Sequence, residues 1–281
     1  MFERLSNSWQ LVKASAAVLR ADKELIVFPI VSAVLSLLVV VTFVVPMVLS
    51  GIVESVASES RVPVVGWVLA FLFYVVQYFV IFFCNTALVG AALIRLRGGD
   101  PTVGDGFRIA SSRFGVILGY ALIAATVGMI LRAISERSGF IGKLVVGLVG
   151  LAWNLATYLV VPVLAAENVG PIEAVKRSSA YLRKTWGEQI AGNLGMGFAF
   201  GLIAFATIVL GALLFVLAAM AESVVLMILV GALVVLALVA NALVSSALGG
   251  VYAAAVYRYA AEGDAGSFFT PAMVQHAFRP K

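Results

Sequence analysis

Six apolar runs divide the chain, from Leu25 to Leu49, Val64 to Leu93, Phe114 to Leu131, Phe140 to Ala166, Ile190 to Ala219 and Ser223 to Val256. Each approaches or exceeds the roughly 20 residues a helix needs to cross a hydrocarbon core. The runs are continuous rather than alternating in segments of about 10 residues, which predicts helices and argues against a β-barrel. None carries a charged side chain near its middle. Such a residue costs about 2.5 to 3.5 kcal/mol on insertion, so its absence suits lipid-facing or structural helices. The expected fold is all-α, a polytopic membrane helix bundle with about six transmembrane helices forming one integral membrane domain over 1–281.

The polar segments between the runs have their own pattern. "KASAAVLR" at 13–20 and "KRSSAYLR" at 176–183 agree at five of eight positions, and each precedes an apolar run. "GDGFRIASSRFG" at 104–115 holds the corresponding place before the third run. Val175, Ser178, Ser179, Leu182 and Trp186 fall on one helical face, with Lys176, Arg183 and Lys184 on another. Leu5, Trp9, Val12, Ala16 and Leu19 form the same kind of stripe in the first segment. An apolar stripe beside a basic face suits a helix lying among lipid headgroups. These segments predict three cytoplasmic amphipathic helices in a threefold pseudo-repeat, with units 1–93, 94–166 and 167–256 and a cytoplasmic tail 257–281. Pro101 and Pro171 are placed to begin two of the short helices, where a missing N–H costs little.

Charge then orients the chain. Of the 19 Lys and Arg residues, 15 fall on one side of the membrane and only Arg61, Arg132, Arg137 and Lys143 on the other. The positive-inside rule puts both termini in the cytoplasm of a plasma (inner) membrane. The run beginning at Leu25 is too long for the 7 to 15 apolar residues of a signal peptide, and reads as a retained helix. Hydrophobic residues make up 63% of the sequence and charged residues 12%, against about 25% charged in soluble domains. The net charge of +5 therefore points to anionic headgroups rather than to nucleic acid.

"FERLSNSWQLVKASAAVLRADKELIVFPIVS" resembles the start of an uncharacterised family of prokaryotic six-helix membrane proteins. "GPIEAVKRSSAYLRKTWGEQIAGN" is distantly similar to a repeating element in the membrane domain of glycerophosphodiester phosphodiesterases. The resemblance implies a helical membrane module. It implies no activity, because the phosphodiesterase chemistry belongs to a separate soluble domain.

Catalytic chemistry finds little support. Asp100 and Asp105 sit in "GGDPTVGDG", where a turn and a helix cap need them. The Gly-rich "GNLGMGFAFG" lacks the Lys-Ser/Thr of a phosphate loop. Its Gly197–Gly201 spacing, like Gly115–Gly119, is expected to let helices approach closely. His276 is the single histidine and Cys84 the single cysteine, so no metal set and no cofactor is expected.

The candidates are of two kinds. Lys13, Arg20, Arg108, Arg113, Lys176, Arg177, Arg183 and Lys184 are expected to touch lipid headgroups. Gln77, Asn85, Asn154, Asn193 and Asn241 are expected to face the bundle interior, bonded between helices or lining a pathway. The expected function is a non-enzymatic lipid-interacting or scaffold protein. A permease or channel for a neutral or lipophilic compound is the alternative. Anionic membrane lipids are the expected partners, with a membrane protein or a second copy of the chain left open.

Overall fold

The computed structural model describes residues 2–49, 64–184, 188–264, 266 and 268–269, and the described residues form helices and turns with no strand. Helix α1 spans Phe2–Ala21 and a short turn at Lys23–Ile26 leads into α2, Val27–Leu49. Then follow α3 (Val64–Leu96), α4 (Val103–Ser112), α5 (Phe114–Arg137), α6 (Phe140–Ala156) and α7 (Val160–Ala166). The chain continues as α8 (Pro171–Lys184), α9 (Glu188–Met220) and α10 (Val224–Glu262). Six segments are long and apolar enough to cross a membrane, with α6 and α7 counting as one. They make three hairpins: α2–α3, α5–α6/α7 and α9–α10.

Local chemistry sets several helix ends. Pro171 opens α8 as its position forecasts, whereas α4 starts after Pro101 at a Thr102 cap. There the Thr102 hydroxyl accepts from Asp105 N–H at 3.2 Å and the Asp105 carboxylate accepts from Thr102 N–H at 3.0 Å. This reciprocal box satisfies two N–H groups the helix cannot. Ser223 caps α10, and Gly263, with φ of 77°, ends it by returning its N–H to Tyr259.

The buried core lies at one end of the bundle. It draws on residues between Ala87 and Leu96 of α3 and between Leu248 and Tyr257 of α10, with residues from α1, α4, α7 and α8. Helix α3 is central, packing against α2, α4, α5, α7 and α10. Small residues let these backbones meet: a Cβ on Gly250 would lie 2.4 Å from Leu88, and one on Gly90 would lie 3.0 Å from Ile109. The Gly-x-x-x-Gly spacings point elsewhere. Gly115, Gly197 and Gly201 face open space, and of the four only Gly119 meets a neighbour, Pro171. The closest contacts thus use glycines outside those spacings.

Away from the core, side chains such as Leu37, 63% exposed, and Leu236, 67% exposed, cover the outside. An exterior of that kind is unstable in water and natural in a bilayer.

The three short helices lie on the core end. Helix α4 packs on α3, α8 on α6 and α7, and α1 on α9 and α10. Their buried faces are Gly106 and Ala110 of α4, Ala174, Ser178 and Leu182 of α8, and Leu11, Val12, Ala14, Ser15 and Val18 of α1. These faces pack on the protein rather than into lipid, which departs from a helix seated among headgroups by its apolar stripe. Trp186 lies outside the described residues and Trp9 outside the described side chains.

Candidate functional site

The core end carries a layer of paired charges that ties the hairpins together. Asp22, only 6% exposed, accepts from Arg95 Nε at 3.1 Å, and Arg95 also reaches Asp100. Asp100 is thus spent on an ion pair, while Asp105 serves the cap and also pairs with Arg108. Hydrogen bonds from the Thr102 backbone and hydroxyl hold the Asp105 carboxyl below its ordinary range. Glu24 accepts the Val103 N–H at 3.1 Å, which links the entry of α2 to the first turn of α4. Across the layer Arg97 pairs with Glu262, and Arg258 reaches Glu262, Asp264 at 2.7 Å and the Leu96 carbonyl.

Its densest node is Glu167, in the turn after α7. The carboxylate accepts from Arg177, from the Tyr181 hydroxyl at 2.9 Å and from the Tyr257 hydroxyl at 2.9 Å. Three elements therefore meet on one side chain: the end of α7, α8 and α10. The two tyrosine rings stand edge to face, with centroids 5.7 Å apart. Burial pushes the Glu167 carboxyl upward, but the three donors outweigh it and the net shift is downward. An ionised, fully engaged carboxylate of this kind is a clamp and a poor proton acceptor.

Next to this node the fourth membrane segment is broken. Helix α6 ends at Ala156 and α7 starts at Val160, with Pro162 unable to supply an N–H to the carbonyl one turn earlier. Ser178 of α8 repairs the break. Its hydroxyl oxygen accepts from Leu159 N–H at 3.0 Å while its O–H donates to the Ala156 carbonyl at 2.7 Å. Ser178 is fully buried. Ser178→Ala is expected to cost about 1 to 3 kcal/mol, because a buried N–H and C=O lose their partner together. Thermal unfolding in detergent checks this against Ser179→Ala, whose half-buried hydroxyl bonds only Lys176 within its own helix and should leave stability almost unchanged.

The eight candidate cations divide sharply. Arg177 is drawn inward to Glu167 and Glu173, Arg113 bonds Asn168, and Arg108 bonds Asp105. Arg20, Lys176 and Arg183 are exposed and make no ion pair among the described residues. Lys13 is exposed and engaged in a contact, and Lys184 lies outside the described side chains.

The polar candidates are not brought to one place. Asn241 donates to the Phe200 carbonyl at 3.2 Å, an interhelical bond of the expected kind. Asn85 is half-buried, and Gln77 buries a carbonyl oxygen that has no partner among the described residues. Asn154 is exposed on α6 rather than enclosed. Asn193 lies outside the described side chains. Glu167 and Asp22, the least exposed of the paired carboxylates, escape a search for catalytic spacing. Their only signal in the sequence is an acidic residue at the edge of an apolar run, Asp22 before the first and Glu167 after the fourth. Cys84 is buried and free, and no group of three potential metal ligands occurs among the described residues.

A family described as "Family of unknown function (DUF6159)" matches residues 64–268 of the chain. No curated protein matches it.

Proposed function

Because the chain belongs to this family of unknown function, for which the match brings no activity, we propose from its own chemistry that it is a non-enzymatic membrane module that grips an anionic leaflet. The observation that supports this reading is the division among its cations. Arg95, Arg97 and Arg177 are spent on Asp22, Glu262 and Glu167, whereas Arg20, Lys176 and Arg183 project from the docked helices. Each such residue gains about 1 kcal/mol beside anionic lipid. The docked helices serve as rigid arms: the protein holds their apolar faces, and the lipid meets only their charges.

The same helices favour a threefold repeat closed into a ring. Helices α4 and α8 each pack on the hairpin before them, and α1 packs on the last hairpin. Ser15 and Ser178 hold matched positions in the two similar segments, and both are fully buried. In this reading the ring faces the cytoplasm of the plasma membrane, in line with the excess of Lys and Arg on that side.

The test is lipid selectivity in reconstituted membranes containing spin-labelled phosphatidylglycerol or phosphatidylcholine. The unaltered chain should enrich the anionic lipid at its surface, less so as salt is raised. The triple variant Arg20→Gln, Lys176→Gln, Arg183→Gln should lose most of that enrichment. Unchanged selectivity in this variant defeats the proposal. The permease alternative has weaker support, since the two cavities described below include none of Asn85, Asn154 and Asn241.

A further inference from the structure

At the end of the bundle opposite the charge layer, a half-open cavity of about 340 Å³ lies between α2, α3 and α5. Its volume falls within the range of about 300 to 1,000 Å³ typical of ligand sites. The walls are apolar, with Phe43 and Met47 from α2 and Trp67 from the start of α3. Two charged side chains of α5, Arg132 and Glu136, complete the lining together with Tyr74. A smaller cavity of about 120 Å³ shares Tyr74 and Arg132, so the guanidinium stands where the two spaces meet.

The polar groups are already arranged. Arg132 donates through Nε to Glu136 at 2.8 Å and through Nη1 to the Tyr74 hydroxyl at 2.9 Å. A guanidinium has five N–H donors, so three remain for an acceptor. The Tyr74 oxygen accepts from Arg132, which leaves its own proton to donate. Glu136 accepts one bond on one oxygen and keeps lone pairs for a cation. The site thus presents donors for an anion beside an acceptor for an ammonium, at the mouth of an apolar space open to the membrane.

The geometry points to a binding site for a membrane amphiphile whose head group carries both a phosphate and a primary ammonium, with an acyl chain in the cavity. The phosphate meets Arg132 and Tyr74, and the ammonium meets Glu136. A purely anionic head would face the Glu136 carboxylate. A quaternary ammonium has no N–H to give it. Charge complementarity therefore selects a phosphoethanolamine head over phosphoglycerol or phosphocholine. This site is independent of the cations proposed to grip the opposite leaflet.

Trp67 offers a direct probe, since it lines the cavity. In a Trp9→Phe, Trp153→Phe, Trp186→Phe background it is the only tryptophan. The protein is placed in phosphatidylcholine vesicles with a minor fraction of lipid brominated on its acyl chains and carrying ethanolamine, glycerol or choline heads. Trp67 should be quenched most by the ethanolamine lipid, with about threefold stronger association, the scale of one partly exposed ion pair. Arg132→Gln should abolish the preference. Glu136→Gln should move it to the phosphoglycerol lipid, a change that general loss of packing would not produce. Equal quenching by all three lipids overturns the assignment, and so does an ethanolamine preference that survives both substitutions. If the tryptophan-reduced background does not fold, native mass spectrometry of the unaltered chain and its Arg132→Gln and Glu136→Gln variants reads the same lipid preference.

Discussion

Glu167→Ala is expected to destabilise the protein by about 3 kcal/mol, the lower end of the cost of removing one member of a buried ion pair. The lower end applies because Arg177 is 43% exposed and can turn to water once its partner is gone. The Tyr257 hydroxyl is more enclosed and loses the acceptor that places it against α8. Glu167→Gln should cost less, because an amide oxygen still accepts from one tyrosine. The substitution should also change how stability depends on pH. The Glu167 carboxyl titrates below its ordinary value of 4.5 in the folded protein, so its contribution is complete above that value. It is then lost as pH falls from about 4.5 through the lower, folded value. Unfolding followed by denaturant titration in detergent, at neutral pH and between pH 5 and 3, should show that acid slope flattened in Glu167→Ala. Equal stability of the two proteins at neutral pH would remove Glu167 from the role of clamp.

The second large effect is steric. Gly106→Ala is expected to cost about 3 kcal/mol, the upper end for overpacking a well-filled core. A Cβ there would sit 2.4 Å from Phe28 Cζ and 2.7 Å from the Ala87 carbonyl oxygen. The Phe28 ring has little room to retreat. It is 1% exposed, and the Phe107 ring centroid is 5.2 Å away. The carbonyl belongs to the backbone of α3 and moves only if the helix moves. Gly104→Ala, two residues earlier on the same helix, meets nothing nearer than the Thr102 hydroxyl at 3.6 Å. It should be neutral or slightly stabilising through helix propensity. The contrast between the two variants in one thermal assay separates the contact from the generic effect of removing glycine. Similar melting temperatures would show that α4 can lift from α3 without loss.

How far the sequence reveals these features depends on the range of the interaction. The six spans were legible because length and apolarity are local properties, and a bilayer sets both. The capping role of Asp105 was legible for the same reason, whereas Thr102, the cap itself, was not, and the helix starts beyond the expected Pro101. The break at 157–159 was not legible. Pro162 lies within an otherwise ordinary apolar run, and the group that makes the break tolerable is Ser178, on the next helix. Ser178 was visible as a member of a helical face, but a face does not reveal which backbone groups it serves. The cations show the same limit. Their excess on one side follows from counting, yet Arg177 and Lys176 are adjacent in sequence and point to opposite fates. Only the fold around Glu167 distinguishes them.

The packing of α1 against α9 and α10 also governs the order of events during synthesis. Leu11, Val12 and Val18 are made long before α9 and α10, on which α1 packs, and α10 is complete only at Glu262. At 5 to 20 residues per second, α1 waits on the order of tens of seconds for its partner. During that interval a basic helix with an apolar face is held best by the membrane surface itself. Docking of α1 onto the last hairpin is therefore expected to be a late step, long after the helix itself is made.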